Sequence, residues 1–107
     1  MCRVVVTGMG VISPVGNDID TFWESLKAGK CGVDKIKRFD ASGLKVSLDA
    51  EVKEFEPKKY YDTVQELRKS DLFMQYAMAA ARQAVEHSGI LESELDKERF
   101  GVYIGSG

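Results

Sequence analysis

Two glycines spaced Gly-x-Gly follow a run of valines near the start of the chain, in RVVVTGMGVISPVG, and such an arrangement can hold a phosphate. A glycine-rich turn after a strand lets backbone N–H groups approach a pyrophosphate, and the next helix offers its positive end. The dinucleotide fingerprint requires G-x-G-x-x-G, with the third glycine opening that helix. Gly8 and Gly10 match, but position 13 is Ser13, the next glycine is Gly16, and the helix starts only after Asn17. Pro14 also biases Ser13 toward extended geometry. With no G-K-[ST], a Walker loop is excluded. The expectation is a glycine-rich backbone device, not a phosphate cradle, which disfavours an NAD(P)-dependent dehydrogenase.

The other residues able to do chemistry are few. Cys2 and Cys31 form no CxxC, and one histidine, His87, is too little to complete a zinc site with them. Neither cysteine has a basic partner in a recognisable motif, so both read as structural or incidental thiols. His87 falls in the last turn of a helix before Gly89, where an imidazolium would favour the helix dipole in a capping role. Arg68 and Lys69 lie in the cluster ELRKSD, which, like EPKKYY, reads first as solvated surface.

Whole-chain properties narrow the field further. Fifteen basic and 17 acidic residues give a net charge of −2, without the basic excess of a nucleic-acid binder. No apolar run approaches the roughly 18 residues that span a membrane. The N-terminus is broken by glycines and lacks a small-residue cleavage site, unlike a signal peptide. A reduced, cytoplasmic protein without a membrane or nucleic-acid partner is expected.

The elements that must position these residues can be placed from pattern. RVVVT at residues 3–7 reads as a strand buried on both faces. NDIDTFWESLKAGK reads as a helix capped by Asn17 or Asp18 and ended at Gly29, with Ile19, Phe22, Trp23 and Leu26 as its apolar stripe. KVSLDAEVKEF alternates as an exposed strand or hairpin arm. SDLFMQYAMAAARQAVEHSG predicts a second helix, capped by Ser70 or Asp71 and closed by Gly89, with Ile90 placed for a Schellman contact. Its apolar residues are too many for one stripe, so it is expected to be covered on most sides, and its alanines to let something pack close to its backbone. Trp23 and the helical methionines then read as core filling. RFGVYIGSG supplies the next strand, and the order predicts a mixed α/β sheet around the Ala-rich helix. The abrupt stop after an apolar run predicts that residues 1–107 are an incomplete portion of one domain.

The same stretches, in order, resemble the β-ketoacyl synthases, the condensing enzymes of fatty-acid and polyketide synthesis. RVVVTGMGVISPVGND, TFWESLKAGKCGV, RFDASG, AEVKEFEPKKYY, RKSDLFMQYAMAAARQAVEHSGI and RFGVYIGSG carry the resemblance across nearly the whole chain. Within that family the chain is most similar to the separate-enzyme elongation type, synthase II. The resemblance implies a thiolase-like fold and a homodimer without a cofactor. It also implies decarboxylative condensation of an acyl thioester with malonyl-acyl carrier protein, through a cysteine thioester assisted by two histidines. In the family that cysteine and both histidines follow the GSG, so no catalytic residue is expected within this chain. Arg68 and Lys69 match positions where the family docks acyl carrier protein, although DTVQE upstream lacks the extra basic residues of many relatives. Gly105, Ser106 and Gly107, a strand end offering backbone without bulky side chains, are expected near the active site or acyl pocket. A non-catalytic chain-length-factor relative and a polyketide synthase ketosynthase domain would share these residues.

Overall fold

The computed structural model describes residues 1–106. The chain forms two compact units, one comprising Val11–Phe55 and the other Met1–Gly10 together with the chain from Glu56 onward.

The Val11–Phe55 unit is organised by a turn, a helix and a short hairpin. At Ser13-Pro14-Val15-Gly16 the backbone closes on itself, Ser13 N donating to Gly16 O at 2.9 Å and Gly16 N to Ser13 O at 3.3 Å. Ser13 Oγ also accepts from Val15 N and Gly16 N, at 3.3 and 3.1 Å. Helix α1 (Ile19–Lys27) starts where Asp18 Oδ1 accepts from Thr21 N at 2.8 Å. That hydrogen bond holds the Asp18 carboxyl below the usual aspartate range. The helix ends in a Schellman motif, with Lys30 N donating to Ser25 O and Gly29 N to Leu26 O, and Gly29 at φ 66°. Buried Ser25 ties α1 to the turn by donating to Val15 O at 2.7 Å. A side chain at Gly16 would meet the Phe22 backbone, its Cβ 2.5 Å from Phe22 N, so the turn can seat on the helix only with glycine there. Strands β1 (Asp34–Lys35) and β2 (Leu48–Asp49) pair antiparallel, Asp34 opposite Asp49, so the hairpin arm expected in KVSLDAEVKEF is present and exposed.

The other unit is built on its longest helix. Residues Pro57–Tyr60 form a 3-10 turn, followed by α2 (Val64–Arg68) and α3 (Leu72–Ser88). Thr63 caps α2 by accepting from Glu66 N at 3.2 Å. Asp71 stands at the N-cap of α3 but its side chain accepts no capping hydrogen bond. Gly89 closes α3 at φ 62°, as expected. Gly89 N donates to Glu86 O at 3.2 Å, one of the two bonds of the expected Schellman ending, while Ile90 N donates instead to Ser88 Oγ at 3.2 Å, ahead of a 3-10 turn over Ile90–Glu92. Ala79 on α3 is fully buried.

Other expectations change as well. Residues 3–7 and 100–104 form no ladder among the described residues, so the sheet is limited to β1 and β2. A strand becomes a buried strand only when a neighbour takes its N–H and C=O groups and a layer covers its faces; here Val4 is 92% and Tyr103 97% exposed. Helix α3 is likewise not covered on most sides, because Phe73, Met74 and Met78 are exposed along it. Trp23 is 58% exposed rather than core filling.

What does pack on α3 explains its alanines. A Cβ placed on Gly8 would collide with the Ala84 carbonyl oxygen and lie 2.7 Å from Ser88 Cβ. On Gly10 it would collide with the Ala80 carbonyl oxygen and lie 2.8 Å from Gln83 Cβ. Gly8 therefore abuts the Ala84–Ser88 level and Gly10 the Ala80 level, an extended segment running antiparallel to the helix. The repeats agree: four helical residues advance about 6 Å and two extended residues about 6.7 Å. Alternate residues of the segment thus meet successive turns of the helix, and both must be glycine.

Candidate functional site

Arg68 is the last residue of α2 and Lys69 its C-cap. A string of local hydrogen bonds fixes the backbone under them. Lys69 N donates to Glu66 O at 3.2 Å, Ser70 N to Leu67 O at 3.1 Å and Ser70 Oγ to Glu66 O at 2.8 Å. From α3, Gln75 Nε2 reaches back to Ser70 O at 2.9 Å. The two basic side chains therefore project from a fixed corner between α2 and α3, and both are exposed. Among the described residues neither joins an ion pair. A cation at a helix C-terminus is favoured by the dipole, which suits the pair to this corner without neutralising it.

Beside the pair lies an open groove of about 410 Å³ whose walls include Lys69, Tyr60, Asp62, Met74 and Arg82. Arg82 Nη2 donates to Asp62 Oδ1 at 2.6 Å, and this hydrogen bond raises the guanidinium above its ordinary value. Arg82 is thereby committed to Asp62, while Lys69 remains on the rim. Neither Asp62 nor Arg82 was singled out from sequence; their separation of 20 residues hides the pairing.

A second groove of about 380 Å³ is almost wholly apolar, lined along α3 by Phe73, Met74, Ala77 and Met78 and closed by Val102 and Ile104. Gly105 follows Ile104 directly, and a Cβ there would meet nothing within 4 Å. Ser106 is exposed. Gly107, the last of the three glycine-serine-glycine positions, lies outside the described residues.

The phosphate reading of the opening segment fails on geometry. The amides of Val15 and Gly16, which a phosphate cradle would need free, are taken by Ser13 Oγ. The N-terminus of α1 is occupied by Asp18, which accepts from Thr21 N and also from Thr21 Oγ1 at 2.9 Å. Gly8 and Gly10 are spent on the backbone of α3. Cys2 and Cys31 are both free and exposed. His87 departs from its expected role: its Nδ1 accepts a hydrogen bond from Met9 N at 3.1 Å, which an imidazolium could not do.

Comparison with known proteins places this architecture. Over 105 residues, 98% of this chain, it is 50% identical to the 3-oxoacyl-[acyl-carrier-protein] synthase 2 of Coxiella burnetii. It is 46% identical over the same span to the synthase 2 of Staphylococcus aureus strain COL. The chain spans 25% of the length of each of these relatives. Among solved structures, "The ishigamide ketosynthase/chain length factor" superposes with a TM-score of 0.73 at 40% identity, over 79% of this chain and 21% of that one. The family model of the β-ketoacyl synthase N-terminal domain matches residues 1–107, and to that family the chain belongs.

Proposed function

We propose that the protein carrying this chain is a 3-oxoacyl-[acyl-carrier-protein] synthase that elongates fatty acids. The observation that carries the proposal is the identity of 45–50% with synthase 2 proteins across 98% of the chain. In this reading a cysteine thiolate attacks the thioester of acyl-carrier protein, releasing the carrier thiol and leaving an acyl-enzyme. Malonyl-carrier protein then loses carbon dioxide. The resulting carbanion equivalent attacks the acyl-enzyme carbonyl, expelling the cysteine thiolate and forming 3-oxoacyl-carrier protein.

Residues 1–107 supply framework and rim to that chemistry. The exposed apolar residues at Val4–Val6, along α3 and at Val102–Ile104 support the reading that the chain is the N-terminal portion of a thiolase-like domain, with partner strands and covering layers supplied by the rest of the protein. Arg68 and Lys69, exposed and without an ion-pair partner among the described residues, are the proposed contact for the acidic carrier protein. The position of Gly105 directly after the apolar groove supports placing Gly105, Ser106 and Gly107 beside the acyl pocket. A homodimer and a cytoplasmic location complete the proposal; no helix among the described residues is long and apolar enough to cross a membrane.

The likeness to a ketosynthase/chain length factor keeps a second reading in view, a relative without the nucleophile. Acylation separates the two. Full-length protein incubated with acyl-carrier protein is expected to yield an acyl-enzyme by mass spectrometry, its adduct mapping outside residues 1–107. The Cys2→Ser, Cys31→Ser double variant is expected to acylate within about twofold of the parent, both thiols being exposed and outside any recognisable nucleophile motif. An adduct on either cysteine would overturn the assignment, and no adduct at all would select the non-catalytic relative.

A further inference from the structure

The contact of residues 8–10 with α3 contains one hydrogen bond whose acceptor is a side chain from a distant part of the sequence. Met9 N donates to His87 Nδ1 at 3.1 Å across 78 residues. We propose that His87 is the positioning residue that sets the register of this segment on α3, and that it acts as a neutral imidazole, protonated at Nε2 and accepting at Nδ1.

The argument begins with what the glycines cannot do. Gly8 and Gly10 permit the approach to Ala84 and Ala80, but with no side chains they give the segment nothing to interlock with the helix. Glycine on both sides of Met9 also leaves the backbone its greatest conformational freedom. Met9 itself is 50% exposed and does not anchor the segment through a buried side chain. Something must therefore fix where along the helix the two glycines sit. His87 is three residues beyond Ala84 and four beyond Gln83, on the helix face that receives the segment. Its ring takes the amide midway between the glycines. Because a backbone N–H is always a donor, the ring nitrogen facing it must be unprotonated, which assigns the tautomer. The dipole role expected from the position of His87 in the last turn is thus replaced by an acceptor role directed at another segment.

The test uses the full-length protein and amide hydrogen exchange at Met9. His87→Ala removes the acceptor and is expected to speed exchange of the Met9 amide by about tenfold, as loss of a single hydrogen bond of ordinary net strength would. Amides in the middle of α3 are expected to keep their rates. His87→Asn places a carbonyl oxygen near the Nδ1 position and is expected to hold the Met9 rate within about threefold of the parent. An unchanged Met9 rate in His87→Ala would overturn the proposal. So would equal acceleration by Ala and Asn, or acceleration of α3 along with Met9, since each assigns His87 a merely structural part. Where His87→Ala does not fold, ring nitrogen shifts of the unmodified protein at neutral pH decide. The resonance that His87→Asn removes is expected to be the Nε2–H tautomer, and an Nδ1–H tautomer or an imidazolium would refute the assignment.

Discussion

Full-length protein carrying Gly10→Val is expected to be destabilised by about 3 kcal/mol or more, the upper end of what overpacking costs a close-packed interior. The first added carbon already collides with the Ala80 carbonyl oxygen and stands 2.9 Å from the Ala80 carbonyl carbon. A helix backbone cannot yield as the tip of a flexible side chain can, so Gly10→Ala should itself lower the denaturation midpoint and valine should lower it further. Gly43 provides the control, because a Cβ there meets nothing within 4 Å. Gly43→Ala should stay within about 0.5 kcal/mol of the parent. The destabilisation should be the same with and without added nucleotide, since the glycine serves the helix and not a phosphate. A Gly10→Ala protein as stable as the parent would remove this account of the opening motif.

The second large effect is expected at the corner between α2 and α3. Reversing both charges, with Arg68→Glu and Lys69→Glu in the full-length protein, should raise the KM for acyl-carrier substrate about tenfold at low ionic strength. Steering between an exposed basic pair and an acidic partner is worth that order of magnitude. The effect should shrink as salt rises, because exposed charges are screened within about 10 Å at 0.1 M. Thermal stability should change by less than about 1 kcal/mol, the scale of a helix-terminus charge effect. Small thioester surrogates carry no acidic partner, so their turnover should be spared. If surrogates and carrier-bound substrates lose activity in equal proportion, or if salt leaves the difference intact, the pair is structural.

The elements legible in the sequence are those whose signals are local. Asp18 and Gly29 bracket α1, and Gly89 closes α3, because caps and left-handed glycines act within one turn of the residues they serve. The failure of Gly8, Gly10, Ser13 and Gly16 to space as a phosphate loop was equally local, and the hydrogen bonds of Ser13 agree with it. The requirement of the alanines for a close neighbour was legible too, although its identity as residues 8–10 was not.

What the sequence left hidden is non-local. Val4, Val5 and Val6 state a preference for burial but not what would bury them, and ladder partners are chosen by segments far along a chain. The width of apolar surface on α3 records a preference in the same way, while Phe73, Met74 and Met78 stand exposed in this chain. His87 was misread because its place in the last turn suggests a dipole contact, whereas its partner lies 78 residues away. The Arg82–Asp62 pair escaped notice for the same reason. Arg68 and Lys69 are proposed as a contact only through family resemblance, since composition alone describes them as solvated surface.

The central claim, that this chain belongs to an enzyme joining acyl and malonyl units, is tested most directly by one reaction. Purified full-length protein is given acyl-carrier protein and malonyl-carrier protein, and the products are weighed by mass spectrometry while carbon dioxide is counted. The account predicts a 3-oxoacyl-carrier protein two carbons longer than the acyl donor, with one carbon dioxide released for each product formed. Carbon dioxide release without a new carbon–carbon bond, or no reaction with either carrier, would contradict it.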